Sequence, residues 1–254
     1  ELGSYGAAQD VMTEAPQRIV FSQMYIHGSA IGEMQRCVLL HTGAGAIVDS
    51  WLSDCHGKGY DSQAIGGWNG PGPHLVKNNY LEGAGENVMW GGATPSIPGM
   101  VASDITFQRN HVFTPQAWRG KWTKKNLLEL KNAQRVLIED NVFDGSWTDG
   151  QIGTALLFKS INDQGTCNWC RTMDVTVRRS YVTNAEVGIV FSGQENYNPI
   201  GKVDSIAKRF HVSDVVFDKI NVPPFNGGGR FIQITSGAND VVFERTVIAG
   251  SLDD

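Results

Sequence analysis

The residues around His56 form the first of four polar groups whose types and spacing could support chemistry. Asp61 follows His56 in a glycine-rich stretch that also holds an amine and a phenol. An imidazole near a carboxylate can exchange protons close to neutral pH, as general acid and base catalysis requires. We therefore predict His56 and Asp61 as catalytic candidates. The competing interpretation is a polar turn between two structural elements.

Two carboxylates and an amide form the second group, which consists of Glu82, Glu86 and Asn87 with glycines on both sides. Carboxylate and amide oxygens are the ligands that a hard cation prefers. These three residues are therefore predicted metal ligands, and Ca²⁺ is the cofactor that this chemistry favours. If they instead lie in a solvated turn, no cofactor is implied.

Glu129 and Lys131 form the third group, and they alternate with Leu128 and Leu130. Successive side chains of a strand point to opposite faces, so inward leucines would place both charges outward on one face. A desolvated lysine can act as a base, and a nearby carboxylate can handle a cation. Both residues are therefore catalytic candidates. The alternative is a surface ion pair without a catalytic role.

A basic and aromatic segment over residues 118–125 forms the fourth group. Indole rings stack on the apolar faces of sugars, and a guanidinium group binds carboxylates with two hydrogen bonds. An acidic oligosaccharide would satisfy both chemistries. The predicted substrate-binding residues are Trp118, Arg119, Trp122, Lys124 and, outside this segment, Trp68. The alternative is a loop that folds back with its indoles buried.

The chain as a whole is acidic and rich in glycine. Its 254 residues include 21 basic and 26 acidic side chains, for a net charge of −5, and 30 glycines. Negative charge disfavours nucleic acid and anionic membranes as partners, and no apolar run approaches the ~20 residues of a membrane span. Nucleotide-binding, serine-hydrolase, zinc-protease and EF-hand motifs are absent from the sequence, which removes several enzyme classes.

A recurring short motif predicts the elements that position these groups. In each copy, apolar and polar residues alternate and lead to an anchor residue; Ile105 and Phe107, for example, precede Asn110. The anchors are Met24, Ser50, Asn79, Asn110, Asn141, Ser180, Ile220 and Thr246. Alternation indicates strands with one buried face. Anchor spacings from 26 residues (24 to 50) to 40 residues (180 to 220) indicate fixed strands joined by variable loops.

A second apolar strand precedes many of these copies, and no amphipathic helix separates them. These second strands are predicted at residues 87–90, 127–130, 155–158, 188–191 and 231–234. Stacked coils of two or three short strands form a parallel β-helix, because no coil can cover its own apolar face. We predict one all-β domain over residues 1–254, with a loop or incomplete cap at 1–17 and about eight coils at 18–250.

The anchor asparagines have a predicted structural role in the turns. An Asn side chain can bond the backbone of a tight turn, tolerate left-handed geometry there, and stack as a ladder from coil to coil. Serine and threonine can replace it in part, whereas Met24 and Ile220 cannot. Long insertions are predicted at 91–103, 114–125, 145–153, 160–172 and 192–209. Such loops wall the outer grooves in which solenoids bind ligands.

The four cysteines support several interpretations. Cys167 and Cys170 have CxxC spacing, which is compatible with a local disulfide, with two free thiols, or with half of a zinc site. A second pair of zinc ligands with suitable spacing is missing, so the zinc interpretation is the weakest. The pairing of Cys37 and Cys55 does not follow from the sequence.

The ladder of repeats resembles the right-handed parallel β-helix, or pectate-lyase-like, superfamily of secreted bacterial proteins. Residues 61–73, 78–87 and 125–133 resemble a bacterial branch of that superfamily with no assigned activity. The resemblance covers nearly the whole chain and implies a right-handed solenoid. It does not define the chemistry, because this fold carries lyases, hydrolases, epimerases and inert scaffolds.

The expected function is that of a secreted protein that acts on polysaccharides, and most of all a lyase for an acidic glycan. Lys131 or His56 would be the base, and Arg119 would hold the substrate. A non-catalytic carbohydrate-binding or structural module is the alternative. Such a module would associate through its open ends or with neighbouring domains. A hydrolase is less favoured, because the paired aspartates expected of a pectin hydrolase are missing at Asp61 and Ser62.

Overall fold

The protein is built from short β-strands in three parallel sheets. The structure, a computed structural model, describes residues 1–162, 165–194 and 205–249. Within these ranges it contains no α-helix. Short 3₁₀-helices lie at Gly6–Ala8, Met12–Glu14, Pro98–Met100 and Gln116–Trp118.

The strands are numbered in chain order, and each sheet takes every third one. Sheet 1 contains β1 (Ile19–Ser22), β4 (Gly45–Val48), β7 (His74–Lys77), β10 (Ala102–Gln108), β13 (Ala133–Glu139), β16 (Met173–Arg178), β19 (Lys208–Ser213) and β22 (Asn239–Glu244). Sheet 2 contains β2 (Tyr25–His27), β5 (Trp51–Cys55), β8 (Tyr80–Gly83), β11 (His111–Phe113), β14 (Val142–Ser146), β17 (Tyr181–Ala185), β20 (Val216–Ile220) and β23 (Val247–Ala249). Sheet 3 contains β3 (Arg36–Leu39), β6 (Gln63–Gly67), β9 (Glu86–Gly91), β12 (Asn126–Lys131), β15 (Thr154–Lys159), β18 (Val187–Ser192) and β21 (Arg230–Thr235).

Each of the first seven coils contributes one strand to each sheet, and each coil stacks on the one before it along the axis. Within the described residues the eighth coil contributes β22 to sheet 1 and β23 to sheet 2. All strand pairs within the described residues are parallel; in β10 and β13, for example, Phe107 lies beside Ile138. This architecture confirms the predicted fold, a right-handed parallel β-helix of about eight coils. The second strands predicted from apolar runs at 87–90, 127–130, 155–158, 188–191 and 231–234 correspond to β9, β12, β15, β18 and β21 of sheet 3.

The interior is filled by inward side chains from all three sheets. Val88, Leu128 and Phe107 have no exposed surface, and Trp90 has almost none. The Trp90 indole N–H donates to His74 Nδ1 at 3.2 Å, and His74 Nε2 lies 3.0 Å from the Thr42 carbonyl oxygen. Burial lowers the pKa of His74 to about 4, so the imidazole is neutral at pH 7 and both nitrogens have partners.

The asparagine ladder lies in the turns between sheets 1 and 2. The Asn79 backbone N–H donates to Asn110 Oδ1 at 3.0 Å, and the Asn110 N–H donates to Asn141 Oδ1 at 2.8 Å. Ser180 ends this run, because its Oγ accepts the Asn141 N–H at 3.2 Å. Left-handed φ angles belong to the residue before each anchor, such as Arg109 (φ 56°), and not to the anchors themselves.

The anchor residue predicted for the seventh coil, Ile220, is wrong. Val216 pairs with Tyr181, and the Val216 N–H donates to the Ser180 carbonyl, so the position equivalent to Ser180 is Val215 and not Ile220. The predicted copy was shifted by five residues (220 − 215). Strands of sheets 1 and 2 both alternate apolar and polar residues, so periodicity alone did not distinguish one from the other.

Both cysteine pairs are joined in disulfides. Cys37 in β3 is bonded to Cys55 in β5, which links the first coil to the second, and Cys167 is bonded to Cys170. The local disulfide is thus the interpretation of the CxxC spacing that the structure supports. No helix among the described residues has the length and apolar character needed to cross a membrane.

Candidate functional site

The outer face of sheet 3 carries a cluster of charges centred on Glu129. Leu128 and Leu130 pack in the core, and Glu129, which lies between them, therefore points outward. Glu129 Oε1 lies 3.3 Å from Lys131 Nζ and 3.3 Å from Lys159 Nζ. Lys131 and Lys159 are neighbours in the strand register. Two ammonium groups from adjacent coils therefore approach a single carboxylate oxygen.

The accessibility of this cluster differs from residue to residue. The Glu129 side chain has no exposed surface, whereas Lys131 keeps 13% and Lys159 keeps 11% of theirs. The second Glu129 oxygen accepts the Asn126 side-chain N–H at 2.8 Å. The two lysines thus form the solvent-facing part of the cluster. Gly91, beside Lys131 in the register, has no side chain, and a Cβ there would lie 1.8 Å from the Lys131 carbonyl oxygen.

A second charge cluster surrounds Glu86 on the neighbouring strand β9, one coil earlier. Lys125 Nζ lies 3.2 Å from Glu86 Oε1 and also forms an ion pair with Asp61. The Gln63 side-chain N–H donates to the other Glu86 oxygen at 2.9 Å. Burial, followed by repulsion from Glu129 and Asp61, raises the pKa of Glu86. Glu86 of the second predicted group thus lies on the same face of the solenoid as Glu129 and Lys131 of the third.

Lys124 is completely buried at the entrance to β12. Its Nζ donates to the Asn126 carbonyl oxygen at 2.7 Å. Burial lowers the pKa of Lys124 to about 7, and attraction to Glu86 opposes this shift. A side chain without exposed surface cannot contact a bound glycan in this arrangement. The structure therefore places Lys124 beneath the surface instead of at a substrate-binding position.

Replacing Lys124 with Met is expected to stabilise the protein at pH 7 by about 1–3 kcal/mol. The pKa falls from 10.5 in the unfolded chain to about 7 in the folded protein, so the unfolded state binds more protons between these values. This lysine therefore costs stability that is recovered as pH rises from 7 towards 10.5. Urea denaturation of both proteins below pH 7 and near pH 10 measures the difference, which should shrink at the higher pH.

The exposed Lys121 of the same loop supplies a matched control for that experiment. Lys121→Met should change stability by less than about 0.5 kcal/mol at every pH. If the effect of Lys124→Met on stability did not depend on pH, the Lys124 side chain would not be a buried amine with a lowered pKa.

His56 lies beneath two indole rings. Its ring stacks on Trp122 with centroids 4.0 Å apart, and the Trp118 ring stands nearly perpendicular to it with a centroid distance of 4.7 Å. His56 has no exposed surface, and Asp54 Oδ1 lies 3.8 Å from its Nε2. Burial lowers its pKa, against the attraction of Asp54. His56 is thus sealed below the surface, while Asp61 belongs to the Lys125 ion pair and not to a His–Asp pair.

The basic loop forms one wall of a cleft of about 320 Å³, lined by Lys58, Arg119, Trp122 and Trp147 among others. Arg119 Nη1 donates to the Pro224 carbonyl oxygen at 2.5 Å, and Nη2 lies 3.6 Å from Glu186. The guanidinium group is therefore held by the protein. Among the predicted substrate-binding residues of this loop, Arg119 and Trp122 line the cleft, whereas Trp118 and Lys124 are buried.

Trp68 directly follows β6 and lies apart from the basic loop. Its ring centroid is 4.3 Å from that of His41 and 5.2 Å from that of Tyr5, and the Arg36 guanidinium carbon lies 5.4 Å from the Trp68 ring centroid. Since β6 is the neighbour of β9 in sheet 3, Trp68 stands at the edge of the same sheet as Glu129. It is half-buried by these partners.

The three predicted metal ligands do not converge. Glu82 lies in sheet 2, where Tyr80 donates to it at 2.8 Å. Glu86 lies in sheet 3, and the Asn87 side-chain N–H donates to the Leu81 and Phe113 carbonyls. The described part of the chain contains no group of three or more His, Cys, Asp or Glu side chains able to hold a metal. Neighbours in sequence diverge here because the chain turns between two sheets.

Sequence reasoning missed two members of these clusters. Lys159 follows its apolar strand at the same position as Lys131 follows its own, so aligning the two copies would have paired them. Lys125 belongs to a basic run, but its contacts with Glu86 and Asp61 depend on how the loop enters sheet 3. The repeat thus contains a signal for the pairing of Lys159 with Lys131 and none for the contacts of Lys125.

The fold and the charged outer face define a parallel β-helix with a polar surface along one sheet. Comparisons with protein-family models, with curated proteins and with solved structures give no match.

Proposed function

We propose that this protein is a secreted, polysaccharide-active enzyme of lyase type that acts on an acidic glycan, as in the pectate-lyase-like superfamily that its sequence resembles. The observation that carries the proposal is the approach of Lys131 and Lys159 to one oxygen of Glu129. Trp68 directly follows β6 of the same sheet. Ammonium groups and an indole are the chemistry that a chain of uronate sugars requires. Two disulfides favour an oxidising, extracellular environment.

The proposed reaction is a β-elimination at a uronate ring. Lys131, once its ammonium proton has passed to solvent, takes the C5 proton, the electron pair of the C5–H bond forms the C4=C5 double bond, and the C4–O bond breaks. The protonated Lys131 then supplies the proton that the leaving oxygen takes. Lys159 contacts the uronate carboxylate and stabilises the charge that develops next to it. Glu129 and Asn126 position the two lysines.

The test is an assay for the unsaturated uronate product by its ultraviolet absorbance. The intact protein is incubated with polygalacturonate, alginate and hyaluronan, each with Ca²⁺ and with a chelator. We expect product from at least one of these polymers, and activity in chelator, because lysines take the role of the cation. Absence of product from every acidic polymer would refute the lyase proposal.

A non-catalytic carbohydrate-binding module is the second candidate. The observation that favours it is burial: Glu129, His56 and Lys124 have no exposed surface, whereas chemistry requires groups that the substrate reaches. The same polymers distinguish the two candidates, because a binding module would retain an acidic glycan in an affinity gel without releasing any unsaturated product.

A further inference from the structure

A row of aromatic side chains runs along the outer face of sheet 2, away from the charged face of sheet 3. Tyr25, Trp51, Tyr80 and His111 are successive neighbours in the strand register. Tyr25 is 66% exposed and Trp51 is 48% exposed. Large apolar side chains that remain exposed side by side commonly mark a binding surface. We call this set of four residues the aromatic row.

One face of the Trp51 indole is available for stacking. Its other face packs on Tyr80, with ring centroids 3.9 Å apart and planes inclined by 21°. Tyr25, the neighbour on the opposite side, stacks instead on His27 of its own strand at 4.6 Å. Within the described residues, Tyr80 is the one ring that contacts Trp51. An indole that packs on a neighbouring ring through one face and is open on the other can stack on a flat apolar surface.

A polar wall faces the aromatic row across a groove of about 540 Å³. The wall consists of Gln23, Asp49, Asn78 and Arg109, one from each of four successive coils, all exposed and all with left-handed φ angles. The Asn78 side-chain N–H donates to Asp49 Oδ1 at 2.7 Å. Since neighbouring strands lie ~4.8 Å apart, four coils extend over about 14 Å.

We propose that this groove binds a neutral oligosaccharide. A pyranose ring has an apolar face of C–H groups, which matches the open face of Trp51, and an edge of hydroxyl groups, which matches the polar wall. Asp49 and Arg109 are the charged side chains that line the groove, one of each sign, so the lining favours neither an anionic nor a cationic ligand. The site lies on a different sheet from the proposed lyase site and does not depend on it.

The test is calorimetric titration of the intact chain with cellohexaose, xylohexaose and mannohexaose. We expect at least one of them to bind and the Trp51→Ala variant to weaken that binding by about tenfold or more. Tyr181→Ala is the matched control, because Tyr181 lies in the same outward row, four strands beyond Trp51 and outside the groove, and is also partly exposed. It should leave the affinity unchanged.

A second variant protects the test against misfolding of Trp51→Ala. Asp49→Asn keeps a residue that tolerates the left-handed turn and removes a charged acceptor from the polar wall, so it should weaken binding about threefold to tenfold. Since these hexamers carry no carboxylate, they cannot undergo uronate elimination, and a failed lyase assay leaves this experiment unaffected.

Several results would overturn the proposal. Failure of all three neutral hexamers to bind the wild-type chain is one, and an affinity that Trp51→Ala does not change is another. Tighter binding of a single-stranded oligonucleotide than of any hexamer would assign the stacking face to bases. Sedimentation showing a dimer that Trp51→Ala dissociates would assign the aromatic row to contacts between copies of the chain.

Discussion

Replacing Lys131 with Met is expected to lower the rate of uronate elimination by about 10³-fold or more. Methionine keeps much of the length and apolar volume of the lysine stem but can neither accept the C5 proton nor return it to the leaving oxygen, and general base catalysis alone contributes ~10²–10⁴-fold. Loss of the ammonium group also removes one of the two contacts to Glu129 Oε1. The rate of unsaturated product formation measures the effect.

Lys125→Met is the matched control, because Lys125 lies in the loop directly before β12. Lys125 binds Glu86 and Asp61 instead of Glu129, so its loss should lower the rate by less than about tenfold while it perturbs the local ion pairs. Equal losses in both variants would show that the outer face of sheet 3 needs its charges for structure and that Lys131 has no special role. Thermal denaturation of each variant separates lost catalysis from lost folding.

The second large effect is predicted for the asparagine ladder. Asn110→Ala is expected to destabilise the protein by about 3–5 kcal/mol, because each buried group left without a partner costs ~1–3 kcal/mol. The Asn79 N–H and Asn79 side-chain N–H would both lose Asn110 Oδ1, and the Val76 carbonyl would lose the Asn110 amide at 2.9 Å. Urea denaturation, followed by hydrogen exchange at the Asn79 N–H, measures the loss.

Two further variants test whether the destabilisation by Asn110→Ala comes from the buried amides of the ladder. Asn78→Gly changes the exposed residue next to the ladder, where the left-handed φ of 56° is one that glycine adopts readily, and should cost less than about 1 kcal/mol. Ser180→Ala, at the end of the run, should cost about 1–2 kcal/mol, because one ladder acceptor is lost. Equal destabilisation by Asn110→Ala and Asn78→Gly would contradict a ladder that contributes through its buried amides.

The candidate site was predictable in part: the orientation of strand residues followed from the sequence, and the contacts of loop residues did not. Glu129 and Lys131 were placed on one outward face because alternation with Leu128 and Leu130 is a local property of any strand. His56 and Asp61 were grouped because they are close in sequence, yet one is sealed under Trp122 and the other is paired with a lysine from the loop that leads into β12. A loop residue's partners depend on where the loop packs, which periodicity does not encode.

The amino-acid sequence by itself determined the solenoid, because a coil with one apolar face is stable only when the next coil covers it. It also determined the turn asparagines, whose side chains satisfy backbone groups that every such turn exposes. The tertiary structure alone decided the pairing of Cys37 with Cys55, the position of the seventh coil and the contacts of Lys125 with Glu86 and Asp61. Each of these depends on how many residues the intervening loops insert before the chain returns to the same sheet, and loop length is not constrained by the pattern that defines the strands.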